Sequence, residues 1–208
     1  MVSAATKSVD DVEAVEGAEQ RGARRFTLLI RPAKIIAHHG EFICVVRDVS
    51  ESGVSVRLFH PLPSSGDLAL ELQTGEQFEV ERVWEKPGEA AFKFADDVSI
   101  EHFVTEVGAF PKRGLRLGIM FPVTLTVRGQ KYEGLCENLS QQGARLTSEA
   151  LFAIDQNLTL SGEGLSEVRA KVRWRGHGSY GVVFDDTFSL ADFAKMAVTM
   201  QAPALLEQ

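Results

Sequence analysis

Two hexapeptides carry side chains able to grip a polar ligand. Asp48-Val49-Ser50-Glu51-Ser52-Gly53 and Asn138-Leu139-Ser140-Gln141-Gln142-Gly143 both read [DN]-x-S-x-x-G, and both end an alternating apolar run. A carboxylate or amide oxygen at a strand end accepts from a ligand N–H, and a serine hydroxyl donates or accepts. Glycine admits positive φ and lets a ligand come close to the backbone. The competing reading is an Asx- or Ser-turn that satisfies only its own main chain. Upstream of the first copy lies Arg21-Gly22-Ala23-Arg24-Arg25, in which Arg21 and Arg25 form R-x-x-x-R, and 22 residues separate Arg25 from Asp48. Upstream of the second lies Lys112-Arg113-Gly114-Leu115-Arg116, where Lys112 stands in the place of the first arginine. Each basic cluster is either an anion clamp or a solvated collar before a strand.

The elements that position these residues are themselves repeated. The hexapeptides are 90 residues apart, and the same offset relates Pro32 to Pro122, Trp84 to Trp174, Phe94 to Phe184, Asp96 to Asp186 and Phe103 to Phe193. One hexapeptide made of ordinary turn residues is a weak signal. Two copies in register with further landmarks point to an internal duplication.

The first half reads as a series of short strands. Phe26–Ala37 is apolar and β-branched, and Pro32 within it implies an edge or a bulge. Phe42, Cys44 and Val46 alternate with Ile43, Val45 and Arg47, and Asp48 continues the parity of the first set. Further strands fall at 54–59, 68–72, 78–84 and 90–95, separated by Gly- and Pro-bearing turns. The period then changes: Asp96–Gly108 suits a helix, with Asp97 or Ser99 as its cap. The second half repeats this after a linker at 111–116 and ends in a helix over 186–200. The expected fold is mainly β: two tandem small antiparallel β-barrels, each followed by a C-terminal α-helix.

Composition bounds the partners. The 208 residues are 44% hydrophobic and 25% charged, with a net charge of −7, as in an ordinary globular chain. Much of the acidity sits in residues 1–20, which hold one lysine against five acidic side chains and lack the composition to build a core. The acidic balance disfavours DNA and anionic membranes as partners. No apolar run approaches the length of a transmembrane helix, so membrane insertion is not expected. Cys44 and Cys136 both sit in apolar runs and read as buried thiols of a reducing cytoplasm. No metal-ligand spacing stands out, and adjacent His38 and His39 in a strand would face opposite ways. An enzymatic reading finds no support: there is no Walker or GxGxxG motif, and nothing in the spacing brings Asp48, Ser50 and His60 together as a triad.

The pairing of R-x-x-x-R with [DN]-x-S-x-x-G resembles the PilZ domain, a bacterial receptor module for cyclic di-GMP. The resemblance spans about residues 21–200. Outside it, the composition of residues 1–20 reads as a flexible acidic tail; within it, the resemblance implies one domain over 21–108 with both motifs intact and a second over 109–208 with degenerate K-x-x-x-R and N-x-S-x-x-G. The resemblance implies a site in the first half at Arg21, Arg25, Asp48, Ser50 and Gly53, with Arg24 beside them either as an extra cation for a second stacked ligand molecule or as a surface charge. A weaker second site would comprise Lys112, Arg116, Asn138, Ser140 and Gly143. The ligand would be cyclic di-GMP with no further cofactor. Arginine suits it, because the planar fork pairs with phosphate oxygens or a guanine edge and its face stacks on a base. Lys112 supplies only a point charge, so the first half is expected to hold the main site. The second half would then serve an unidentified effector protein or a homodimer. The alternative is a protein-interaction scaffold of the same fold that binds no nucleotide.

Overall fold

The computed structural model describes residues 26–64, 66–105 and 114–207. The acidic tail 1–20, the cluster Arg21–Arg25, and Lys112 lie outside the described residues. So does the end of the first expected helix.

The first six strands are β1 (Phe26–Ala37), β2 (Gly40–Ser50), β3 (Gly53–Leu58), β4 (Leu68–Glu71), β5 (Gln77–Lys86) and β6 (Glu89–Phe94). They close into an antiparallel barrel in the order β1-β2-β3-β6-β5-β4. Alternation builds the interior: Phe42, Cys44, Val46, Val54, Val56, Leu70, Phe92 and Phe94 all point into one core. The second half supplies β7 (Arg116–Leu117), β8 (Phe121–Val127), β9 (Gln130–Ser140), β10 (Gly143–Thr147), β11 (Asn157–Gly162), β12 (Leu165–Gly176) and β13 (Ser179–Phe184). Six of these close the same kind of barrel through the β9–β10 pairing, and the short β7 adds to β9. The expected tandem of small antiparallel barrels is therefore present, in two separate sheets. Arg116, expected in a linker, instead opens strand β7.

Pro32 and Pro122 occupy matching places. Pro32 pairs with Val45 beyond the reach of β4, which meets only Lys34–Ile36. Pro122 pairs with Leu135 beyond the reach of β11, which meets Val123–Thr126. At both positions a missing N–H costs no ladder bond.

A short helix α1 (Ile100–Thr105) follows the first barrel, with Phe103 in that barrel's core. Helix α2 (Leu190–Gln201) follows the second. Its start is fixed by Ser189, whose Oγ accepts from the Asp192 N–H at 3.1 Å, a cap worth about 1 kcal/mol. Helix α2 reaches beyond its own barrel. Phe193, Ala194 and Ala197 pack into the second barrel, whereas Val198 and then Leu205 enter the core of the first. In return, Ile43 on the outer face of β2 joins the core of the second barrel. Strand β2 is thus buried on both faces, which is why its apolar run is nearly continuous.

Candidate functional site

Both hexapeptides form the same tight hairpin. Ser50 pairs with Gly53 across a two-residue turn between β2 and β3, and Ser140 pairs with Gly143 between β9 and β10. Each serine hydroxyl donates to the glycine carbonyl, at 3.2 Å in the first copy and 2.9 Å in the second. The glycines do not adopt positive φ. They are needed for close strand packing instead. A Cβ at Gly53 would stand 2.7 Å from the Phe92 carbonyl oxygen, and one at Gly143 would collide with the Val182 carbonyl. The turn carbonyls serve the chain leaving the barrel. Ser52 and Glu51 accept from the N–H groups of Phe94 and Val98, as Gln142 and Gln141 accept from Phe184 and Phe188.

Simple parity would put Asp48 on the core side with Phe42, Cys44 and Val46. The structure overturns this. The register slips between Val46 and Asp48, so Arg47 is an extra residue in β2, and Glu137 is its counterpart between Cys136 and Asn138 in β9. A bulge of this kind reverses which face later residues take. Val49 and Leu139 turn into the cores, and Asp48, Ser50, Asn138 and Ser140 come to the outer face.

The strand register then lays a row of side chains across the outside of each barrel. In the second half Asn138 faces Arg145, Arg145 faces Gly181, and Gly181 faces Trp174. Arg116 on β7 lies opposite Ser140 on the other side of β9. A Cβ at Gly181 would run into the Trp174 indole, so glycine there seats the ring against the sheet. The Arg145 guanidinium lies 6.0 Å from the Trp174 ring centroid and 2.6 Å from a Glu137 carboxylate oxygen. In the first half the corresponding row is Asp48, Ser55, Ala91 and Trp84. Asp48 Oδ2 accepts from Ser55 Oγ at 3.0 Å, and Lys86 Nζ lies 5.4 Å from the Trp84 ring centroid. Trp84 and Trp174 are 42% and 43% exposed. Each indole thus presents an apolar face with a polar edge at the surface, which suits stacking against a partner or ligand. The sequence motifs did not reveal Arg145, Trp174, Ser55 or Trp84 as site residues. Outward parity counted from each hexapeptide glycine, together with one tryptophan per repeat, was the available signal.

The two rows differ in charge. The bulge residue is the exposed cation Arg47 in the first half and the acid Glu137 in the second. The first row therefore has a carboxylate acceptor beside an exposed cation, while the second has a neutral amide beside an internally paired Arg–Glu couple.

Asp48, Ser50 and His60 do not assemble into a relay. His60 Nδ1 lies 2.7 Å from the Pro61 carbonyl oxygen, so this nitrogen carries the proton, while Nε2 is buried without a partner among the described residues. Burial holds the His60 pKa below its ordinary value, against the opposing pull of the Pro61 carbonyl and the Glu85 charge. Burial also raises both thiols, with Cys136 pushed up to about 12. Among the described residues, no cluster of three or more His, Cys, Asp or Glu could hold a metal ion. Nor is any described helix long and apolar enough to cross a membrane.

Residues 112–197 match the family model of the PilZ domain. That match falls on the half whose basic motif begins with lysine. No curated protein matches the chain. Among solved structures, the chain is similar to the PlzA protein of Borreliella burgdorferi in complex with c-di-GMP, with 14% identity, 92% of this chain and 99% of that one covered, and a TM-score of 0.37. It is also similar to the Bacillus subtilis inhibitor of motility MotI/DgrA, with 12% identity, coverage of 86% and 95%, and a TM-score of 0.35. A third is the K. pneumonia MrkH–c-di-GMP complex, with 14% identity, coverage of 96% and 95%, and a TM-score of 0.33.

Proposed function

We propose that this tandem PilZ protein is a receptor for cyclic di-GMP that passes the ligand signal to a partner protein. The observation that carries the reading is the outward row in the second half. Arg116, Ser140, Asn138, Arg145 and Trp174 share one face of the barrel within the family-matched segment. A cationic fork, hydrogen-bonding polar groups and an aromatic face are what a guanine nucleotide with two phosphates requires. No catalytic step is assigned to this site.

The main site belongs to the first half. Arg21, Arg24 and Arg25 supply forks where the second half begins with Lys112, and Asp48 is charged where Asn138 is neutral. A charge-assisted bond from guanine N–H groups to a carboxylate exceeds one to an amide. Arg47 adds to the positive field, whereas Glu137 subtracts from it. Together these differences amount to a few kcal/mol, or on the order of a hundredfold in affinity. Contact by the arginine cluster slows hydrogen exchange at residues 20–26 when ligand is added.

Calorimetric titration with cyclic di-GMP tests the reading. Wild type binds tightly, Arg25→Ala loses the tight phase, and Arg116→Ala nearly retains it. Equal losses from both substitutions mean one site shared between the halves. A wild type that binds no cyclic di-GMP leaves the alternative, a protein-interaction scaffold. One observation favours that alternative: Ser50 and Ser140 both spend their hydroxyl protons inside their own hairpins.

A further inference from the structure

Strand β7 is two residues long and, among the described residues, pairs with one neighbour only, β9. So short an edge strand holds little order of its own. Its other edge is not bare. The carbonyl of one residue and the N–H two residues later face the same edge of a strand, and here both are bound by side chains of the first barrel. Lys34 Nζ donates to the Arg116 carbonyl oxygen at 3.2 Å, and the Gly118 N–H donates to Glu41 Oε2 at 3.0 Å.

The two gripping residues are themselves fixed. Lys34 is only 6% exposed, and its ammonium meets Glu41 at 2.9 Å and Glu71 at 3.0 Å. Its three donors therefore have three acceptors, and the two carboxylates offset the cost of burying its charge. Leu115, Leu117 and Ile119 drop into the second core, leaving Arg116 exposed on the same face as Ser140.

We infer that Lys34 and Glu41 of the first barrel are positioning residues for nucleotide binding by the second. They hold β7 so that the Arg116 guanidinium stands beside Ser140 and Asn138 before ligand arrives. This inference rests on the receptor reading above. A preorganised arginine avoids the ordering cost that a loose one incurs on binding.

The test uses the full chain and cyclic di-GMP in an Arg25→Ala background, where the remaining binding belongs to the second half. Adding Lys34→Met weakens that residual affinity on the order of tenfold. The Trp174 emission change at saturating ligand stays intact, and amide exchange at Leu117 and Gly118 quickens without ligand. A purely structural role would lower the melting temperature but leave the affinity of the folded protein unchanged. If Lys34→Met fails to fold, Lys34→Met with Glu71→Gln keeps the net charge of the cluster and carries the same expectation. Equal affinities with and without Lys34, in a wild type that binds cyclic di-GMP, overturn the inference alone. So does the absence of residual binding in Arg25→Ala. A wild type with no affinity overturns the inference and the receptor reading together.

Discussion

The side-chain amide of Gln201 pairs with the main chain of Glu41, 160 residues away. Its Oε1 accepts from the Glu41 N–H at 2.8 Å, and its Nε2 donates to the Glu41 carbonyl at 2.9 Å. The last residue of α2 thus continues the hydrogen bonding of a strand in the other half. Gln201→Ala leaves both Glu41 groups unpaired in a half-buried place and costs about 1–3 kcal/mol. Urea denaturation measures it. Because Val198 and Leu205 also fill the first core, ending the chain at Ser189 destabilises the first barrel, not only the second. An unchanged melting temperature for the first barrel in that truncation would refute the dependence.

His60 makes stability depend on pH. Burial holds its folded pKa below the ordinary value, so the unfolded chain takes up the proton first. Its contribution is complete above the unfolded pKa of about 6.5 and is lost as pH falls through the window below it. The unpartnered Nε2 explains the direction, since protonation would place an N–H there with nothing to receive it. Unfolding midpoints measured from pH 7.5 to 5 fall in wild type, and the fall is shallower in His60→Asn. Parallel profiles would remove His60 as the cause.

The hexapeptide glycines are packing residues. Gly143→Ala pushes a methyl group into the Val182 carbonyl, and Gly53→Ala crowds the Phe92 carbonyl. Backbone cannot swing aside as a side chain can, so each substitution costs about 1–3 kcal/mol, with Gly143 the more sensitive. Loss of ligand binding in either variant with full stability would show instead that the glycine serves ligand approach.

Cys44 and Cys136 are buried in the two cores. With both thiols held well above neutral pH, neither forms the reactive thiolate. An aromatic disulfide reagent labels neither in the native protein at pH 8 and labels both after denaturation. Fast native labelling at one of them would mean that its barrel opens.

Much of this architecture was legible in the sequence. The 90-residue offset, the alternation in β2 and β9, and the Pro32–Pro122 match all correspond to observed elements. What escaped was set by pairing between strands. A one-residue bulge at Arg47 or Glu137 has no signature of its own, yet it decides whether Asp48 or Val49 faces solvent. Ile43 and Val45 read as one side of an ordinary strand, and only the return of α2 explains why both faces of β2 are apolar. Arg116 looked like linker because a two-residue strand leaves no periodicity to read. Arg145 and Trp174 were hidden because their neighbourhood with Asn138 exists only across four strands.

The contacts behind the second hairpin turn it into the fulcrum of an arm. Gln141 grips Phe188 twice, accepting its N–H at 3.0 Å and donating from Nε2 to its carbonyl at 2.9 Å. Helix α2 begins two residues later. Twelve residues of helix form a rod of about 18 Å. A tilt of about 5° at the hairpin tip would swing the far end of that rod by about 1.5 Å, more than a hydrogen bond tolerates. The far end is Gln201. A nudge too small to disturb the barrel carrying Ser140 would therefore be large enough, at the end of the rod, to pull Gln201 off Glu41 in the neighbouring barrel.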